Sequence, residues 1–291
     1  MVLPRARLIE SRCVFFVPLQ QVRAPRPISG FGVVRRLVAA LSLVGESMQD
    51  PGRYWRENVL GALNLIEATV AAGCRHFVFS STCATYGDLD EVTLTEETPQ
   101  HPINAYGGSK LAIEQLLSDF ESAHGLRSVI FRYFNVAGAD PEAEVGEQHM
   151  PETHLIPLML DAIAGRRETL TIHGTDYATR DGTCVRDYVH VSDLVDAHVR
   201  GLEWLRAGKE SRVFCLGSGK GFTVREVVDA SRAVTNCEVP IVDGPRRPGD
   251  AAVLVSGSDR AAEELEWRPR RSDLQTMIGD AWRWHQTGHY E

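Results

Sequence analysis

Apolar positions alternate between two periods along most of the chain. Phe77-Val78-Phe79 is a short continuous apolar run closing at Ser80, the pattern of a buried strand. Val59, Leu63, Ile66 and Val70 recur at helical spacing, predicting a helix over 56–72 that Gly73 ends. Ile113, Leu116, Leu117 and Phe120 predict a second helix over 105–123, and Ser128 to Arg132 the next buried strand. Strands alternating with helices give an α/β fold, a parallel sheet with helices on both faces.

Beyond about residue 140 the pattern becomes mixed and loop-rich. The stretch from Pro141 to Pro151 carries Glu142, Glu144 and Glu147 with few apolar residues, and reads as a solvated loop. Helices are predicted near 153–165 and 192–207, with Leu202 and Leu205 in the core. Trp282 and Trp284 belong to the packed face of a final helix. Gly217-Ser218-Gly219-Lys220-Gly221 resembles a phosphate loop but does not satisfy its spacing, and reads as a turn between a strand ending at Leu216 and a helix from about Thr223.

Charge divides the chain unevenly. The net charge of the 291 residues is −8, yet residues 1–36 hold seven arginines and one glutamate, which leaves −14 for the remainder. An acidic body repels phosphate backbones, so nucleic acid and membrane are not expected partners. Prolines 4, 18, 25 and 27 break any amphipathic helix in the basic head, which argues against a targeting helix. No apolar run approaches the roughly 20 residues of a membrane span. Six cysteines without paired spacing point to thiols in a reducing compartment, hence the cytoplasm. The ten histidines form no His-Glu-x-x-His or comparable cluster, so no metal is expected.

The candidate chemistry lies in two stretches, Ser80 to Gly87 and Tyr106-Gly107-Gly108-Ser109-Lys110. Thr82 sits at the carboxyl end of a predicted strand, where open α/β sheets bind ligands. Tyr106 and Lys110, four apart, share one helix face. A nearby ammonium favours the phenolate, which would let Tyr106 take or give a proton while Thr82 holds the same substrate hydroxyl.

Thr82, Tyr106 and Lys110 resemble the catalytic triad of the extended short-chain dehydrogenase/reductase family. Val44-Gly45-Glu46-Ser47, Asn58-Val59-Leu60-Gly61, Arg132 to Ala139 and Asp181 to Val191 are similar to segments of its UDP-glucose 4-epimerases. The resemblance runs from about Leu37 to the C-terminus. It implies NAD as cofactor and a UDP-hexose as substrate, with UDP-glucose and UDP-galactose interconverted through a 4-keto intermediate, and a homodimer as the assembly. It also implies a partial NAD-binding domain over 37–140, an N-terminally truncated Rossmann-like doubly wound parallel sheet with later segments interleaved, and a smaller, mixed α/β, mainly nucleotide-sugar-binding domain over 141–291.

By the same resemblance, Tyr106, Lys110 and Thr82 are catalytic. With Phe134, Ser42 and Glu57 they contact the cofactor. Thr82, Asn135, Leu155, His173, Arg186, Arg247 and Asp250 contact the substrate. Guanidinium forks suit phosphate oxygens and a carboxylate suits ribose hydroxyls.

Several positions depart from the family. The glycine-rich phosphate turn of its first strand is missing, and Gly30-Phe31-Gly32 lacks the third glycine. A truncated or frame-shifted reading frame is one expectation, with a non-productive remnant as its functional counterpart, and a genuine variant head is the alternative; without the first strand, the strand ending near Leu37 to Ala40 is an unpaired edge. His173 replaces an aromatic, Glu57 an asparagine, and Leu254 lies where size governs room for an N-acetyl group. A related nucleotide-sugar dehydratase is the other alternative, against which Cys83-Ala84 stand where that group carries Asp-Glu.

Overall fold

The structure is a computed structural model. It describes the backbone of residues 34–37 and, in full, residues 40–89, 93–149, 151–257 and 259–287. The basic head and Gly30-Phe31-Gly32 lie outside the described residues.

Four parallel strands form the main sheet. They are β1 (Val34–Leu37), β2 (His76–Ser80), β3 (Arg127–Tyr133) and β7 (Arg212–Leu216), ordered β1-β2-β3-β7. Phe77 pairs with Ser128 and Phe79 with Ile130 in the parallel register. Among the described residues β1 pairs only with β2, at the edge.

The alternation along β2 decides which helix covers which face. Phe77 and Phe79 pack with Ala62 and Ile66 of α3 (Gly61–Ala71) and with Ile113 and Leu117 of α4 (Ala105–His124). Val78 points the other way, with Val129, Phe131 and Phe214, onto Leu194, Ala197 and Leu205 of α6 (Val191–Arg206). Leu202 is also buried, as the sequence predicts.

Helical structure begins earlier than the periodicity indicates. Val44–Gln49 forms a short helix, α1, Pro51–Tyr54 a further turn, α2, capped by Asp50, and Trp55–Leu60 continues it as a π-helical segment into α3. Gly73 ends the run at φ 73°, the left-handed conformation expected of a glycine there.

The rest of the chain builds two smaller sheets. β6 (Val185–His190) lies between β10 (Val253–Leu254) and β4 (Asn135–Ala137), and β8 (Gly221–Thr223) joins β6 antiparallel. β5 (Leu170–His173) pairs with β9 (Ile241–Gly244). Around them Met159 and Leu160 of α5 (Leu155–Ile163), Val227 and Val228 of α7 (Val224–Thr235), and Met277 and Ile278 of α9 (Leu274–His285) form a second core. A capping box between Thr223 and Glu226 starts α7, close to where the sequence places it. The glycine stretch at 217–221 is a turn, tied down by the buried Asp187 carboxylate, which accepts from the Ser218 and Gly219 amides at 2.8 and 3.0 Å.

One C-terminal aromatic departs from expectation. Trp282 packs on the second core, but Trp284 turns to the loop before α5, its indole nitrogen donating to the Glu147 carbonyl at 3.2 Å. Gly146 lies flat beneath that indole, where a Cβ would come within 2.2 Å. Among the described residues no helix is long and apolar enough to cross a membrane, and the five described cysteines are free thiols.

Candidate active site

A cavity of about 1180 Å³ opens at the carboxyl ends of β2 and β3. Its floor is set by the contact between two backbone segments. Thr82 ends the extended run after β2, and its hydroxyl accepts from the Ala84 amide at 3.1 Å, starting a single 3₁₀ turn over Cys83–Thr85. Opposite, Asn104 caps α4 by accepting from the Gly107 amide at 2.8 Å, which fixes Tyr106 in the first helical turn. The two segments touch at Gly107, where a Cβ would stand 2.3 Å from the Ala84 carbonyl oxygen. Only glycine permits that approach, which brings the segments carrying Tyr106 and Thr82 together in the cavity wall.

Lys110 lies one turn further along α4, buried at 5 % exposure. Its ammonium donates to the Ser80 carbonyl at 2.9 Å and lies 5.9 Å from the centre of the Tyr106 ring. Burial pushes its pKa down to about 8, against a smaller opposing pull from Glu114. Burial is also the largest influence on Tyr106 and raises its phenol above the ordinary 10, with Tyr133 adding to the rise and the Thr82 hydrogen bond opposing it. Desolvation of the phenol therefore outweighs the benefit of a neighbouring ammonium, an effect that spacing along a helix does not disclose.

A buried ion pair braces this floor. Arg132 on β3 grips Glu114 of α4 through Nε, at 3.2 and 3.1 Å, and Nη2, at 2.7 Å. Ser81, next to Thr82, donates to the same carboxylate, and Arg132 also reaches the Tyr86 hydroxyl at 3.1 Å. Asn58, 1 % exposed, ties the entry wall to α4. Its side chain accepts from the Leu41 amide at 2.8 Å, and donates to the Leu41 carbonyl at 3.0 Å and to Ser109 at 3.1 Å. The sequence offers no sign of the Arg132–Glu114 pair, because its members are 18 residues apart on different elements.

Most residues singled out from the sequence meet in this cavity. Ser42, Thr82, Tyr106, Phe134 and Asn135 line it. So do Leu155, His173, Arg186, Arg247 and Asp250, with Leu254. Arg247 is over half exposed and donates to Asp250 at 3.0 Å, while Arg186 donates to its neighbour's carbonyl at 2.9 Å. The His173 ring nitrogen lies 3.3 Å from the Pro245 carbonyl. Glu57 is not among the lining residues. The next residue, Asn58, reaches inward instead. Lys110 stands behind Tyr106 rather than in the wall.

The histidines do gather in one place. Glu147, His149, Glu152 and His154, at the end of the loop read as merely solvated, bring ligand-type atoms within 4.8 Å of one another, and three of them, Glu147, His149 and His154, also line the cavity. Their spacing, Glu-x-His-x-x-Glu-x-His, follows neither helix nor strand period, so no periodic template detects it.

Comparison with known proteins agrees with this geometry. Residues 26–217 match the NAD dependent epimerase/dehydratase family. A UDP-glucose 4-epimerase of Lacticaseibacillus casei is 46 % identical over 283 residues, 97 % of this chain and 84 % of that protein. One from Rhizobium meliloti is 52 % identical over 247 residues, 85 % and 75 % of the two chains. The crystal structure of UDP-glucose 4-epimerase from Bifidobacterium longum in complex with NAD+ and UDP superposes with a TM-score of 0.84 at 33 % identity, covering 88 % of this chain and 76 % of that one. The chain thus belongs to the NAD dependent epimerase/dehydratase family, among relatives that are UDP-glucose 4-epimerases.

Proposed function

We propose that this protein is an NAD-dependent isomerase that interconverts UDP-glucose and UDP-galactose at C4 of the hexose through a 4-keto intermediate. The observation that carries the reading is the meeting of Tyr106 and Thr82 over the Gly107–Ala84 contact, in a cavity that Arg186, Arg247 and Asp250 also line.

The donor set suits the cofactor. The cavity exceeds the roughly 300–1,000 Å³ typical of a single small-ligand pocket, which leaves room for two ligands meeting end to end. Ser42, Thr82, Tyr106 and Phe134 would hold NAD on one side, with Lys110 behind them supplying an ammonium for ribose hydroxyls. NAD supplies a hydride acceptor and donor at sugar C4.

The chain's own residues handle position and protons. Thr82 holds the 4-hydroxyl, and Tyr106 removes its proton and returns it to the epimeric alcohol. With a pKa of about 8, Lys110 remains a cation at pH 7 and favours ionised Tyr106 against the effect of burial. Arg186 and Arg247 bind the diphosphate, Asp250 the ribose, and Asn135, Leu155 and His173 the remainder of the nucleotide sugar. The assembly of these residues in one cleft favours an active enzyme over a non-productive remnant, and Cys83-Ala84 after Thr82 argues against a dehydratase.

The reading carries a cytoplasmic location, supported by free thiols and an acidic body. It also carries a homodimer, for which exposed Trp55 and Leu60 on one helical segment supply apolar surface.

The test is 4-epimerisation of UDP-galactose by the purified chain with added NAD. Tyr106→Phe is expected to abolish turnover while UDP still binds with unchanged affinity, measured by calorimetry. An unaltered rate in that variant would remove the role given to Tyr106.

A further inference from the structure

The loop between β4 and α5 holds a cluster that the reaction does not use. Glu147 Oε1 lies 2.5 Å from His154 Nδ1 and 3.2 Å from His149 Nδ1. Glu152 Oε2 is 3.8 Å from His149 Nδ1, and Glu152 Oε1 is 3.5 Å from His154 Nδ1. Four ligands on one ion with bonds of about 2.0–2.1 Å stand about 3.3 Å apart in a tetrahedral arrangement. The four separations bracket that value.

Hydrogen bonds from the His154 side chain to Glu147 and Glu152 join part of the cluster but leave one buried carboxylate oxygen unserved. The Glu152 side chain is 8 % exposed, and its Oε2 is buried without a hydrogen-bond partner. At 3.8 Å the His149 nitrogen is too far to supply one. An unpartnered buried carboxylate oxygen carries a desolvation penalty that a bound cation removes. The other oxygen, Oε1, accepts from the Thr153 and His154 amides at 2.6 and 2.8 Å, which holds Oε2 toward the cluster. Orientation of a ligand through its second oxygen is what metal sites require. His154 occupies the N-cap of α5 and makes no side-chain capping bond there, so its ring is free of that task.

We propose that Glu147, His149, Glu152 and His154 form a binding site for one divalent transition-metal ion of the Zn²⁺ class. Two imidazoles and two carboxylates are the ligand set of such an ion rather than of Ca²⁺ or Mg²⁺, which take oxygen ligands. All four positions come from the protein, which marks the site as structural rather than catalytic. Its mechanical effect follows from its place in the fold. The metal would join both ends of the 147–154 loop at the start of α5, beside the Trp284 indole held on the Glu147 carbonyl. It would thereby fix one rim of the cavity to α9.

The experiment uses the full chain, freed of metal by chelator and then titrated with Co²⁺ and with Zn²⁺. One equivalent of Co²⁺ is expected to give the visible bands of four-coordinate cobalt, Zn²⁺ to abolish them, and Zn²⁺ to raise the melting temperature. His149→Ala and Glu152→Gln should each weaken binding roughly tenfold or more, at unchanged far-ultraviolet circular dichroism. Should either variant fail to fold, X-ray absorption of the Zn²⁺-loaded unmodified chain decides the matter: two imidazoles with oxygen support the site, and sulfur in the coordination sphere overturns it. Absence of a cobalt spectrum, or its persistence in a folded His149→Ala/Glu152→Gln double variant, would equally overturn it. None of these readouts depends on epimerase activity, so the metal site and the proposed reaction stand or fall separately.

Discussion

Replacing Lys110 with methionine should make the nucleotide-free protein more stable at neutral pH while destroying its activity. Methionine keeps the unbranched stem that packs near Phe79, 5.0 Å from the ammonium, and removes the charge. In the folded chain burial lowers the lysine pKa from 10.5 to about 8. At about 1.36 kcal/mol per pH unit, holding the ammonium in that site costs roughly 3 kcal/mol. Against this stands the bond to the Ser80 carbonyl, whose loss leaves a buried acceptor unsatisfied at about 1–3 kcal/mol.

The expected net gain for Lys110→Met at pH 7 is on the order of 1 kcal/mol. The pH dependence is the sharper signature. Between pH 8 and 10.5 the unfolded chain binds the proton that the folded chain has released, so the stability of the unmodified protein rises through this window. Below pH 8 both states are protonated and the penalty is complete. Above 10.5 both are neutral and it is gone. The advantage of Lys110→Met should therefore shrink from pH 8 upward and reverse near pH 10.5, where only the lost hydrogen bond remains. Urea denaturation of the nucleotide-free proteins at pH 7, 9 and 10.5 measures this directly. A stability difference that stays constant across these pH values would refute the assignment of the lowered pKa to burial.

Two further substitutions probe the framework of the site. Gly107→Ala places a methyl 2.3 Å from the Ala84 oxygen and 3.1 Å from Pro102, and should cost about 1–3 kcal/mol in thermal or chemical denaturation. Because it forces apart the segments carrying Tyr106 and Thr82, kcat should fall at least tenfold while KM changes little; a fall in stability alone would mean that the contact serves packing only. Arg132→Met leaves Glu114 buried and unpaired and should destabilise by about 3–5 kcal/mol. The double variant Arg132→Met/Glu114→Leu should recover most of that loss in the same denaturation assay.

The parts of the fold legible in the sequence are those whose information is local. Phe77-Val78-Phe79 discloses a two-sided strand because its three side chains must find cores on both faces, and they do. The 3.6-residue spacing of Ile113, Leu116, Leu117 and Phe120 gives α4 to within a residue of its observed end. Tyr106 and Thr82 stand out in the sequence because family motifs carry them. Position 57 does not line the cleft, and its neighbour Asn58 anchors the wall.

What escaped is nonlocal. Arg132 and Glu114 meet because β3 lies next to the strand that α4 covers, a contact that exists only once the sheet is assembled. The titration of Tyr106 and Lys110 is nonlocal in the same sense. Their i, i+4 spacing correctly puts them on one helix face, and from that alone an ammonium should ease ionisation of the phenol. The fold adds the opposing influence by closing the sheet, the 3₁₀ turn and α4 around both groups, so that burial disfavours the phenolate and the ammonium together. Stability at neutral pH would be served by removing the Lys110 charge. The chain retains both groups where Gly107 allows Tyr106 to reach Thr82, and a site so built is poised to gain more from a ligand that supplies polar partners than from any rearrangement of its own side chains.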